Sequence, residues 1–150
     1  MIDIFKILII AMTPVLELRG AIPIGVASGI NIYLTILISI IGNLIPVPFI
    51  LLFIKSIFKF IRKYFNKLSI IVDKLEKRAS EKSDIVHKYE MLGLMILVAV
   101  PLPGTGAWTG SLVAALLNMP VKRAFPPIAG GVLIAAFIVS AITYGIAIFI

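Results

Sequence analysis

Apolar residues in this chain run in blocks that only one long polar stretch interrupts. Ile32 to Ile54 contains no charged side chain, and Val121 to Ile150 carries only Lys122 and Arg123 at its start. A hydrocarbon core of about 30 Å takes roughly 20 helical residues to cross, so each block predicts a transmembrane helix. The stretches ahead of them are equally apolar but interrupted. Phe5 to Ile30 holds Pro14, the run Glu17-Leu18-Arg19-Gly20, and Pro23, and Met91 to Asn118 holds Pro101-Leu102-Pro103-Gly104-Thr105-Gly106. Proline removes a backbone donor and glycine loosens a helix, so both stretches predict a break near their middles.

A broken stretch is either a kinked through-span or a re-entrant hairpin of two half-helices, each of about 12 residues and roughly 18 Å. Positive charge chooses between them. If both stretches re-enter, Lys122-Arg123 falls on the same side as the Lys-rich middle of the chain, the side that the positive-inside tendency assigns to the cytoplasm. If both cross, the pair faces away from it. The expected fold is therefore an all-α integral membrane protein of two inverted units, each a re-entrant helical hairpin followed by a transmembrane helix. Residues 1–150 form one membrane domain, with the first unit over 5–54, a basic cytoplasmic segment over 55–90 and the second unit over 91–150. A shift of 87 positions supports the repeat, placing Pro14 over Pro101, Asn31 over Asn118 and Asn43 over Gly130.

The middle segment has helical periodicity. Ile57, Ile61, Tyr64, Leu68, Ile71 or Val72, and Leu75 recur at steps of three and four, with Lys59, Arg62, Lys63, Lys67, Lys74 and Lys77 largely between them. This predicts an amphipathic helix at the interface, its basic face turned to lipid headgroups. Polar character dominates from Ala79 to Glu90, which predicts a break or short linker with the bend at Ser80 to Asp84.

Composition then narrows the function classes. The 61% apolar content exceeds the roughly 45–50% of soluble domains, and the mean hydropathy of +1.14 agrees with a cell-membrane, multi-pass protein. Of the charged residues, 15 lie between Lys55 and Glu90, ten basic and five acidic. The net charge of +7 thus points to anionic lipid headgroups as partners, not to nucleic acid. Cysteine is absent, which removes disulfides and thiol chemistry. No histidine cluster, no paired catalytic acids and no serine elbow suggest an enzyme, a metal or a cofactor. The glycine run lacks the Gly-Lys-Ser/Thr end of a nucleotide loop.

The candidate chemistry lies at the two breaks. Glu17 and Arg19 are ionisable groups at membrane depth, which are costly and commonly mark an ion or substrate pathway. At a hairpin turn Arg19 can bind an anionic substrate while Glu17 takes or gives a proton; the structural alternative is an internal salt bridge or a backbone cap. The second turn, with Pro103, Gly104, Thr105, Gly106 and Trp108, exposes backbone that can coordinate ions or anionic ligands, or else it makes a tight helix crossing. Asn43 either lines a central cavity opposite Gly130-Gly131 or satisfies a carbonyl freed at a kink. Asn31 and Asn118 read as caps. His87, the only histidine, reads as a structural or solvent-facing residue.

Three ordered segments carry a resemblance over nearly the whole chain: Glu17-Leu18-Arg19-Gly20-Ala21-Ile22-Pro23-Ile24-Gly25, Gly42-Asn43-Leu44-Ile45-Pro46-Val47-Pro48, and Pro101 to Gly110. Together they resemble the small multidrug export protein family, which implies efflux. The arrangement is more distantly similar to the DedA and VTT-domain membrane proteins, where re-entrant hairpins face each other and lipid translocation is the associated activity. That resemblance matches Glu17 and Arg19 to the charged first hairpin and Pro103-Gly104 to the turn of the second. This chain departs from it in having Thr105 and Trp108, and no arginine, near the second turn. It also lacks the peripheral helices of larger relatives, so a homodimer is one way to close a pathway. The expected function is a small exporter, proton-coupled through Glu17, that moves amphipathic solutes or lipid-linked headgroups. The alternative is a structural or scaffolding membrane protein without transport.

Overall fold

The computed structural model describes the backbone of residues 2–149 and the side chains of residues 3–81 and 91–146. His87 lies outside the described side chains. All regular structure among the described residues is helical: α1 (Ile2–Met12), α2 (Glu17–Ala27), α3 (Ile32–Leu44), α4 (Pro46–Tyr64), α5 (Asn66–Ala99), α6 (Ala107–Leu116) and α7 (Val121–Phe149). Two assemblies are long and apolar enough to cross a membrane, Ile32–Tyr64 and Val121–Ile146, and only 33% and 39% of their most apolar windows are buried. A soluble core helix would be mostly buried. Here large apolar side chains such as Phe49 and Phe137, 61% and 77% exposed, face outward as a lipid-facing surface requires.

Both breaks form where proline and glycine put them. α1 and α2 are 11 residues each, about 16 Å long, and Ile7, Ala11 and Ala21 share one buried cluster across them. Pro23 stays inside α2 without breaking it. In the second half, α5 gives way to an irregular loop over residues 100–106 before the ten-residue α6. Gly110 of α6 packs on Leu94 and Val98 of α5, so these two helices also lie side by side.

The two halves repeat one packing scheme. Gly42 of α3 lies against the carbonyl of Leu8 and the side chain of Ala11 in α1, and Gly131 of α7 lies against the carbonyl of Met95 and the side chain of Val98 in α5. Each α2 or α6 ends in a Schellman turn. Gly29 and Ile30 donate to Val26 and Gly25 in the first half, and Asn118 and Met119 donate to Ala115 and Ala114 in the second. Gly29 and Asn118 are the left-handed residues of these turns, with φ of 76° and 57°. Equivalent residues are thus 87 apart before the tips (Leu8 and Met95) and 89 apart after them (Gly29 and Asn118, Gly42 and Gly131). This corrects the single register of 87, which paired Asn31 with Asn118 and Asn43 with Gly130. The second tip is longer than the first, so the register slips there.

Asn31 caps α3, its Oδ1 accepting the amides of Tyr33 and Leu34 at 3.0 and 3.4 Å. Asn118 terminates α6 instead of starting α7, and Lys55 donates to its Oδ1.

The basic segment differs from the expectation in two ways. Its helix is interrupted at Phe65, where φ is −134° and ψ is 75°, and not at Ser80 to Asp84, which α5 runs through as helix. The residues that face the core are Phe58, Val72 and Ala79, while Ile57, Leu68, Ile71 and Leu75 are exposed. The reason is tertiary: α4 and α5 fold against each other around Phe65, and Arg62 ties them by donating to Asp73 at 2.8 Å and Glu76 at 2.5 Å. Ala79 of α5 and Pro101, just past its end, line one cavity.

The glycine contacts give a test. A Cβ at Gly131 would stand 2.6 Å from the Val98 Cβ and 2.7 Å from the Met95 carbonyl, so Gly131→Leu is expected to part α5 from α7 at a cost of about 1–3 kcal/mol. A thermal midpoint in detergent equal to that of the parent protein would show that this crossing is not tight.

Candidate functional site

A helix that ends inside a membrane leaves amides without acceptors at its start and carbonyls without donors at its end. The 100–106 loop creates both kinds of end a few residues apart, and the first hairpin supplies a partner for each. Arg19 reaches from the first turn of α2 to the end of α5. Its guanidinium donates to the carbonyls of Val100 and Leu102 at 2.9 and 2.5 Å, to Val98 at 3.5 Å, and to the Thr105 hydroxyl at 3.0 Å. Glu17 takes the opposite end, its Oε1 accepting the Trp108 amide in the first turn of α6 at 3.2 Å. A cation at carbonyl ends and a carboxylate at amide ends both follow the helix dipole. Trp108 completes the lock by donating its indole N–H to the carbonyl of Met12, the last residue of α1, at 3.0 Å.

Glu17 and Arg19 do not form an ion pair with each other within 4.0 Å. The sequence alternatives of salt bridge and cap thus divide: capping is present, but of the other hairpin's helices. Glu17 is 4% exposed and adopts φ of 51°, a left-handed conformation that a residue with a side chain adopts at some cost. The same carboxylate fills the place where Gly106 would carry a side chain. Thr105 knits the second tip, its hydroxyl lying 2.7 and 2.8 Å from the carbonyls of Val100 and Leu102.

A cavity of about 580 Å³ opens beside this lock. Pro103, Gly104, Thr105 and Trp108 line it together with Glu17 and Arg19, as the sequence placed them. Gly106 stands just behind, against Glu17. Asn43 does not join them; it is buried in α3 and is not among the residues lining this cavity. Sequence reasoning missed Arg78, which α5 brings to the same cavity from the basic segment. Nothing in the local pattern around Arg78 separates it from its neighbouring lysines, because its place depends on the fold at Phe65. A second cavity of about 580 Å³ lies between α2 and α7, lined by Pro23, Val26, Val139, Ile142 and Ile146. Arg19 borders both cavities. Among the described residues no cluster of three or more His, Cys, Asp or Glu could hold a metal ion.

The family model described as "Putative small multi-drug export protein" matches residues 17–138. The chain belongs to this family. The match begins at Glu17, just past the first tip, and takes in α2, α3, the basic segment, the second tip and most of α7. No curated protein and no solved structure matches the chain. The family description is that of an export protein, and the two helices long and apolar enough to cross a membrane agree with a membrane protein.

Proposed function

We propose that the protein is a small proton-coupled exporter of amphipathic substrates bearing an anionic group, and that the paired tips form its transport site. The observation that carries this reading is the mutual capping of two broken helices by Glu17 and Arg19 beside a cavity of drug-like size. The cavity is largely apolar but holds two arginines against one carboxylate, which favours an anionic headgroup. The groove between α2 and α7 meets the cavity at Arg19 and suits an acyl or alkyl chain entering from the lipid.

The topology that fits is the inverted one, with both hairpins re-entrant. α1, α2 and α6 are each about 15–16 Å long, half of what a span requires. The contact of Lys55 with Asn118 sets the start of α7, with Lys122 and Arg123, level with the basic end of α4. That agrees with one positively charged, cytoplasmic side.

In the proposed cycle, a proton taken up by Glu17 neutralises its carboxylate and weakens the cap on α6. A charge-assisted hydrogen bond is roughly twice as strong as a neutral one, so protonation loosens one of the links between the tips while Arg19 holds the other. Release of the tips would open the cavity to the opposite side.

Proteoliposomes loaded with a fluorescent alkyl phosphate, with ethidium as the cationic comparison, test the reading. The expected result is export of the phosphate driven by a pH gradient and at least about tenfold slower in Glu17→Gln. Movement of ethidium alone, or equal movement in empty liposomes, would overturn it. The scaffolding reading draws on the same capping, and it predicts instead that Glu17→Gln lowers the melting temperature with no transport to lose.

A further inference from the structure

Thr35, Ser39 and Asn43 recur at steps of four along α3 and so share one face of it. All three are buried, at 0%, 0% and 1% exposure. Thr35 Oγ1, Ser39 Oγ and Asn43 Oδ1 have no hydrogen-bond partner. Ser28 and Ser111 instead donate to carbonyls four residues back at 2.8 and 2.6 Å, while Ser140 Oγ of α7 is a further buried oxygen without a partner. A buried polar atom left unpaired costs about 1–3 kcal/mol, and such atoms in native folds are commonly satisfied by ordered water.

α2 covers this face. Gly25 packs on Thr35, whose Oγ1 lies 3.0 Å from where a Cβ on Gly25 would stand. Because the chain reverses through the Schellman turn at Gly29 and Ile30, α2 and α3 run antiparallel. The pairing of Gly25 with Thr35 then sets Ala21 level with Ser39 and Glu17 level with Asn43. Glu17, Ala21 and Gly25 are all buried. A row of oxygens on one helix thus faces Ala21 and Gly25 on the other, the helix that Glu17 begins.

Spacing decides what can occupy the row. Four residues rise about 6 Å, and two hydrogen bonds of about 2.8 Å through one water cover that distance. A cation holds its oxygen ligands at about 2.0–2.6 Å, so two ligands of one ion are at most about 5 Å apart. Oxygens 6 Å apart on one helix face suit a file of waters and do not suit an ion cage.

We infer that the α2/α3 seam is a single-file water path that carries protons to Glu17 from the membrane face where α2 turns into α3. Ser28, Gly29 and Asn31 in that turn are exposed, which gives the path a mouth. The charges around its end are few. Arg19 is the only other charged residue of α2, α3 and α6 have none, α1 has only Asp3 and Lys6, both exposed near its start, α7 has no charged residue after Arg123, and α5 brings Arg78 to the cavity that Glu17 lines. A proton entering the seam therefore meets Glu17 as its first acceptor. This inference rests on the proposal that Glu17 exchanges a proton during export.

The test is the rate at which the Glu17 carboxyl exchanges hydrogen for deuterium, followed by infrared difference spectroscopy of the protein in nanodiscs. The band is assigned by its loss in Glu17→Gln. Thr35→Val and Ser39→Ala are expected to slow exchange by about tenfold each, and Thr35→Ser, which keeps the oxygen, is expected to exchange like the parent protein. Thermal midpoints measured alongside show that each variant is folded. Parent-like exchange in folded Thr35→Val and Ser39→Ala would overturn the path. Slowed exchange in a protein whose export is indifferent to Glu17→Gln would support the path and overturn only the coupling.

Discussion

Arg19→Ala is expected to lower stability by about 3–5 kcal/mol and to abolish export. The guanidinium binds three carbonyls at the end of α5 and the Thr105 hydroxyl, and no other charged donor reaches them among the described residues. Its removal leaves the carbonyls of Val98, Val100 and Leu102 without their charged donor. Thr105 still reaches Val100 and Leu102, which limits the loss. Arg19→Lys is expected to recover less than half of it, because one ammonium cannot reproduce a planar fork aimed at several acceptors. Thermal unfolding in detergent checks the prediction. A midpoint for Arg19→Ala within about 2 °C of the parent protein would mean that the carbonyls are satisfied by something else.

Gly106→Ala is expected to come next, at about 2–4 kcal/mol. Its φ of 124° and ψ of −171° belong to a region essentially reserved for glycine, costing about 1–3 kcal/mol for any other residue. The added methyl would also overlap the Glu17 carboxylate and push it off the Trp108 amide, a loss of about a further 1 kcal/mol. Gly104 provides the control. It too is left-handed, with φ of 78°, yet a Cβ there meets nothing within 4 Å, so Gly104→Ala is expected to cost only about 1 kcal/mol. Equal effects of the two substitutions on unfolding would show that backbone conformation alone matters and that contact with Glu17 contributes nothing. Because Gly106 touches the carboxylate and Gly104 does not, only Gly106→Ala is expected to slow export.

How much of this could be read from the chain depended on whether the signal was local. Pro14 and the Pro101 to Gly106 run mark the breaks because backbone chemistry acts within a few residues, and the two spans follow from apolar length alone. Glu17 and Arg19 stand out because a charge in an apolar block needs a reason. The stripe of Thr35, Ser39 and Asn43 is equally legible at its four-residue spacing, but only Asn43 stands out in the sequence, since hydroxyls in membrane helices commonly bond to their own backbone. That Thr35 and Ser39 do not is a fact of packing.

The periodicity of residues 57–75 misled for a related reason. Apolar residues at helical spacing mark a face without saying what covers it, and near a membrane both lipid and protein can do so. The fold at Phe65 turned Phe58, Val72 and Ala79 inward and left Ile57 and Leu68 outside. It also carried Arg78 to the cavity.

The sequence by itself determined that this is a helical membrane protein, where its helices break, and which two charges are out of place. Tertiary structure alone decided what those charges do. Glu17 and Arg19 are two positions apart yet serve opposite helix ends, 91 and 81 residues away, because the second break offers free carbonyls and free amides side by side. The two tips meet where those backbone groups find their partners.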